Sequence, residues 1–332
     1  EVLQHADGAL DQLLAILKWM QRLLAKLIDR EVPVPEVGQA QVGLALTASS
    51  VLSLAAIVWI IAFACKNWVE RQRMMLAVVL ILGAVVFFTL FEQAGTSLNL
   101  FASTNVNLAT TSQATSFLGV PMGTPDQLKA AGVDLSGTWI DSTIGAAQTQ
   151  SFNAGFILIF APIFAALWAW LAARKLDLNP TMKFGLGLIQ VGLGFMVVVW
   201  GAGMADDSFR LPLMLLGLLY LLHTTGELFL SPVGLSEITR LSLPSVVSFM
   251  MAVWFLSSSI AQFVGGWIAG LAGTETVGGQ VVDPQAALNA SVHVFDLLGK
   301  GGIACGLVFI ALSFVIRGWA HVDDGEEAPT VH

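Results

Sequence analysis

The feature that most constrains this chain is a carboxylate in the middle of an otherwise apolar stretch. Residues Leu211–Thr239 read LPLMLLGLLYLLHTTGELFLSPVGLSEIT. At about 1.5 Å per residue such a helix is long enough to cross a bilayer. Glu227 lies near its middle, with His223 four residues before it and Ser231 four residues after. Positions i, i+4 and i+8 fall roughly on one helix face, so the sequence predicts a polar stripe on an apolar rod. A charged side chain at mid-membrane costs ~2.5–3.5 kcal/mol on insertion scales and persists where it faces water or a partner. Glu227 is therefore a candidate functional residue; the alternative is a protonated structural Glu bonded to a neighbouring helix. Pro232 removes a helical donor just beyond it and is expected to loosen the backbone there.

Composition gives the class. Of 332 residues, 56% are hydrophobic and 11% charged, against ~25% charged in an ordinary soluble domain. The expected fold class is all-α, a polytopic membrane helix bundle. The net charge of −8 gives no indication of nucleic-acid binding. Cys65 and Cys305 stand alone in apolar runs, so neither a zinc site nor a disulfide framework is implied, and no cofactor is expected.

Along the chain, Leu10–Ile28 is amphipathic at helical spacing, and the prolines of residues 31–36 break it. Apolar spans follow at Gly43–Cys65, Met74–Phe101, Ala154–Ala173, Phe184–Gly203, Leu211–Thr239 and Val246–Leu271, and a last one from about Val292 or Gly301 to Ile316. The third can begin earlier, carrying Gln148, Gln150, Ser151 and Asn153 inward. Within Met74–Phe101, Thr89, Glu92, Thr96 and Asn99 form a second polar stripe around a carboxylate. Helix–helix hydrogen bonding accounts for Thr89 and Asn99, and less well for Glu92. Residues 102–143 form a polar loop in which Thr124, Pro125 and Gln127 predict a capping box and Gly132 a helix end. In Val246–Leu271, Trp254, Ser258 and Gln262 share a face, and Gly266 and Gly270 offer a packing notch.

Charge alternates between the loops. Lys66, Arg71, Arg73, Arg174, Lys175, Lys183, Arg240 and Arg317 fall on one side, and most of the loop carboxylates on the other. The positive-inside rule makes the first side cytoplasmic and the 102–150 loop external. The expected location is the cell inner membrane, multi-pass.

Several stretches resemble the proton-coupled oligopeptide transporter family of the major facilitator superfamily. Residues 226–236 (GELFLSPVGLS) are similar to the motif of its tenth helix, and residues 91–101 (FEQAGTSLNLF) to its seventh. Residues 150–153 (QSFN) resemble the start of the eighth, and Trp254-Phe255-Leu256 with Gly265-Gly266 the eleventh. The resemblance implies proton-coupled symport of di- and tripeptides. Glu227 would pair with the peptide α-amino group and Asn153 would bond the same end. Ser231 and Trp254 would line side-chain pockets, and Glu92 would be the proton-linked carboxylate. It further implies that residues 1–68 are an inserted helix pair, 69–320 the carboxy-terminal six-helix bundle and 321–332 an acidic tail.

The family's first-helix motif, Glu-x-x-Glu-Arg-Phe, is absent. Alternating access uses two bundles rocking about a central site, so the chain reads as one half whose amino-terminal six-helix partner is missing. It starts at Glu1 without Met or a signal peptide, as if partway through a longer protein. Its expected partners are a di- or tripeptide, protons, the lipid bilayer and that missing half. A retinal photosensor would need a mid-helix lysine in the last span, and Lys300 lies at its edge. No HExxH, paired-Asp or nucleophile motif suggests an enzyme. The remaining alternative is a facilitator-type carrier of another amine-bearing or nitrogenous solute.

Overall fold

The structure, a computed structural model, describes residues 39–272, 276–277, 280–281 and 283–321. The amphipathic stretch expected at Leu10–Ile28 and the acidic tail lie outside the described residues. Contact density divides the chain into Glu1–Ser49 and Ser50–His332. Of the first unit only the opening turns of a helix are described. All that follows concerns the second.

Among the described residues, seven helical segments are long and apolar enough to cross a membrane. Helix α1 (Gln39–Trp59) runs into a single π turn at Ile60–Ala64. Helix α2 (Trp68–Phe91) starts at Asn67, whose side chain accepts from the Glu70 amide at 2.8 Å. It does not continue as one rod to Phe101. A 3₁₀ turn at Glu92–Gly95 interrupts it, and α3 (Ser97–Asn105) resumes beyond Thr96, which has φ −125° and ψ −98°. Hydropathy is continuous across this break, which is why a single span was expected.

A short α4 (Pro125–Ala130) carries the expected capping box, with Thr124 accepting from the Gln127 amide and Gly132 at φ +74° after its end. Helix α5 (Ser151–Ala173) is led in by a 3₁₀ turn at Ala146–Gln150, earlier than its hydropathy suggests. Then come α6 (Pro180–Gly201), α7 (Leu213–Leu241), α8 (Val247–Ala272) and α9 (Pro284–Val315). The last begins well before Val292. Asp283 caps it through the Gln285 and Ala286 amides and Pro284 takes the first position, while polar residues dilute its hydropathy. Despite Pro232, α7 is helical throughout.

Helix α6 packs most extensively, on α9 and α7. Glycines set the approach: a Cβ on Gly187 would lie 2.9 Å from the Gly226 carbonyl of α7, and one on Gly192 2.7 Å from the Gly299 carbonyl of α9. Small residues of this kind let membrane helices approach backbone to backbone. Phe87, Phe184, Phe195, Tyr220 and Phe295 fill the core around them. Helix α5 is the exception. It packs chiefly on α7 and has no buried side chain. The notch expected at Gly266 is open, and its neighbour Gly265 makes the close contact instead.

The 106–145 loop holds strands too short to read from sequence. In it β1 is Val106–Asn107, β2 Thr115–Phe117, β3 Val120–Gly123 and β4 Ile140–Asp141. β2 pairs antiparallel with β3 through a turn at Leu118 and Gly119, both at positive φ, and β3 runs parallel to β4. Asn105 anchors the base of this loop by donating to the carbonyls of Phe209 and Pro284.

Candidate functional site

The site is assembled by three helices. Glu92 sits at the first residue of the break between α2 and α3, half-buried. The fully buried Gln93 beside it holds the break together. Its Nε2 donates to the Thr89 carbonyl at 3.0 Å and to the Gly265 carbonyl of α8 at 3.5 Å. Its Oε1 accepts from the Ser97 hydroxyl at 2.7 Å and from Thr96 at 3.4 Å. One side chain thus replaces ladder bonds that the interrupted helix lacks, and ties the kink to α8.

The stripe on α7 differs from the one expected. His223 turns inward, where its Nε2 donates to the Val191 carbonyl of α6 at 3.1 Å and its ring stands edge-on to Phe195. Gly194 leaves the space it fills, since a Cβ there would meet the imidazole at 2.5 Å. The polar stripe that remains is Thr224, Glu227 and Ser231. These occupy positions i, i+3 and i+7, which share a face as readily as the spacing of four.

Asn153, in the first turn of α5, meets this stripe. Its Nδ2 donates to Thr224 Oγ1 at 3.0 Å and to Glu227 Oε2 at 3.2 Å. Glu92 lies near enough for its charge to bear on Glu227. The carboxylate of α7 and the amide of α5 therefore meet, and Glu92 sits at the end of α2, which packs on α7. Glu92, Asn153, Glu227 and Ser231 are each half-buried. Two cavities lie elsewhere: one of ≈ 570 Å³ lined by Asp177, Lys183, Arg240 and Arg317, and an apolar one of ≈ 200 Å³ between α1, α2 and α8.

Trp254 lies in the core. It is 3% exposed, edge-on to Phe88 and Phe184, and its indole lies where a Cβ on Gly234 would be. A glycine on α7 admits the ring to the core. In the second stripe, Thr89 donates back to the Val85 carbonyl at 2.7 Å in its own helix. Thr224 and Gln93 are the two residues sequence reading passed over, though each stands within three residues of a singled-out carboxylate.

The described residues form a multi-pass helix bundle with an amide and a carboxylate meeting between two spans. Comparison with known proteins gives the particular family. Residues 128–282 match the model of the POT family (PTR2). The chain is 32% identical over 229 residues to dipeptide and tripeptide permease A of Edwardsiella piscicida, covering 69% of this chain and 40% of that protein. It is 34% identical over 220 residues to the uncharacterized transporter YclF of Bacillus subtilis (strain 168), covering 66% and 38%. Its fold matches a crystal structure of the peptide transporter POT in complex with sulfate at a TM-score of 0.64 and 23% identity, over 93% of this chain and 54% of that one. A POT family transporter in complex with 5-aminolevulinic acid matches at 0.61 and 21% identity, over 94% and 54%. Residues 128–282 thus match the POT family, a family of transporters. It spans less than half the length of the two relatives.

Proposed function

We propose that this chain is the carboxy-terminal half of a proton-coupled symporter of di- and tripeptides in the cell inner membrane. It acts with an amino-terminal six-helix half across the face that carries Glu92, Asn153 and Glu227. The observation that carries this reading is the Asn153–Glu227 pair, an amide and a carboxylate bonded at 3.2 Å on two different spans. A carboxylate in a site of lowered dielectric is the natural partner of an ammonium group. Ser231, one turn along α7, extends the same stripe toward the rest of the peptide. Glu92, close to Glu227 but on a separate helix break, is the proton-linked group. The permease relatives named for dipeptides and tripeptides agree with this substrate class.

A second reading is a carrier for another amine-bearing solute. The fold neighbour bound to 5-aminolevulinic acid favours it, because that molecule also pairs an ammonium with a carboxylate. Uptake of labelled di-alanine into liposomes containing the full-length protein separates the two. With an inward proton gradient the symporter reading predicts accumulation above the external concentration, inhibited by excess unlabelled dipeptide. Gradient-driven accumulation of labelled 5-aminolevulinic acid that excess dipeptide does not inhibit, with none of di-alanine, supports the second reading. No gradient-driven uptake of either contradicts both.

A further inference from the structure

The amide of Asn153 can present either its oxygen or its NH₂ group to a ligand, and the reading above requires the oxygen. An ammonium group has only donors to offer. Glu227 alone does not fix the choice. An ionised carboxylate accepts from the NH₂ group, but a protonated one can donate to the amide oxygen and allow the amide to turn over.

Thr224 removes that freedom. Its hydroxyl donates to the Tyr220 carbonyl one turn back on α7 at 2.7 Å. With its proton committed there, Thr224 Oγ1 can only accept. It lies 3.0 Å from Asn153 Nδ2 and is itself fully buried. The NH₂ group is therefore held against α7 whatever the protonation state of Glu227. The amide oxygen of half-buried Asn153 has no hydrogen-bond partner among the described residues and is not one of their sealed unpartnered atoms. With the carboxylate of Glu227, which the same amide touches, it offers acceptors to a ligand.

We propose, resting on the ammonium reading of this site, that Thr224 is a positioning residue that sets ligand preference by locking the amide of Asn153 oxygen-outward. It touches no ligand. Its effect reaches the ligand only through Asn153, so it vanishes when Asn153 is removed. A hydroxyl that served folding alone would not behave so.

The test is a double-mutant cycle on the full-length protein, reading Kd for di-alanine and for N-acetyl-di-alanine. Thr224→Val keeps the shape and β-branching and deletes the hydroxyl. It should weaken di-alanine about tenfold, the worth of one well-formed hydrogen bond. It should leave N-acetyl-di-alanine within about twofold, the error of such a comparison. Thr224→Ser should restore the free-amine preference. In the Asn153→Ala background, Thr224→Val should change neither Kd. Should Thr224→Val fail to fold, Thr224→Ala runs the same cycle. Equal weakening of both peptides, or an effect of Thr224→Val that survives Asn153→Ala, overturns the positioning role. If Asn153→Ala and Glu227→Gln both leave the preference for the free amine intact, the ammonium reading itself falls, and the part assigned to Thr224 falls with it.

Discussion

Replacing Gln93 with leucine tests whether one side chain holds the helix break that carries Glu92. Gln93 is fully buried, and its two short bonds, 3.0 Å to the Thr89 carbonyl and 2.7 Å from the Ser97 hydroxyl, both lie inside the bundle. Side-chain hydrogen bonds in a membrane bundle average ~0.6 kcal/mol, with a maximum near ~1.7. Two of them give about 1.2 kcal/mol. The buried Ser97 hydroxyl left without its acceptor adds a penalty on the order of 1 kcal/mol. Gln93→Leu should therefore destabilise the protein by about 2 kcal/mol. Unfolding in mixed micelles with increasing SDS, followed by helical circular dichroism, reads this directly. Ser97→Ala alone should cost about half as much, and the two substitutions together should cost less than their sum, because they break one shared bond. Strict additivity, or a loss below about 0.5 kcal/mol, would refute the claim that Gln93 holds the break.

Three further outcomes follow from the structure. Glu92→Gln should abolish proton-driven peptide accumulation while leaving peptide exchange without a gradient measurable, both read in liposomes; equal loss of both would assign Glu92 to binding or packing. Gly187→Ala should lower stability by about 1–3 kcal/mol, because the new Cβ would lie 2.9 Å from a backbone carbonyl that has little room to yield; a thermal melt in detergent checks it. Thr124→Ala should cost about 1 kcal/mol of local stability, seen as faster amide exchange over residues 124–131 with peptide binding unchanged.

The spans were legible because a bilayer demands long apolar runs, although the run Met74–Phe101 holds two helices and not one. Glu227 was legible for the converse reason: a carboxylate within such a run is costly and calls for an explanation. The capping box at Thr124 was readable because its geometry is local to four residues. Asn153 was found through a resemblance rather than through periodicity, since it lies at the edge of its apolar run.

What stayed hidden depended on contacts between helices. The break at Glu92 is stabilised by Gln93 reaching Gly265 across to α8, and no hydropathy window sees that contact. His223 and Thr224 are adjacent and both polar. Which of them joins Glu227 was decided by the space that Gly194 leaves for an imidazole on α6. Trp254 left the expected surface for the same kind of reason, a glycine at residue 234 on the facing helix. In each case a side chain was readable from the sequence, but the vacancy that receives it lay elsewhere in the chain.

The proposed role of Glu227, held by Asn153, is to bind a substrate ammonium. Titration calorimetry of the full-length protein with di-alanine and with N-acetyl-di-alanine, on wild type and Glu227→Gln, tests it most directly. Wild type should bind the free-amine peptide at least tenfold more tightly, the equivalent of ~1.4 kcal/mol. Glu227→Gln should lower the affinity for di-alanine to that for the acetylated peptide, with its melting temperature preserved. Equal binding of the two peptides by wild type, or an undiminished preference for the free amine in Glu227→Gln, would contradict it.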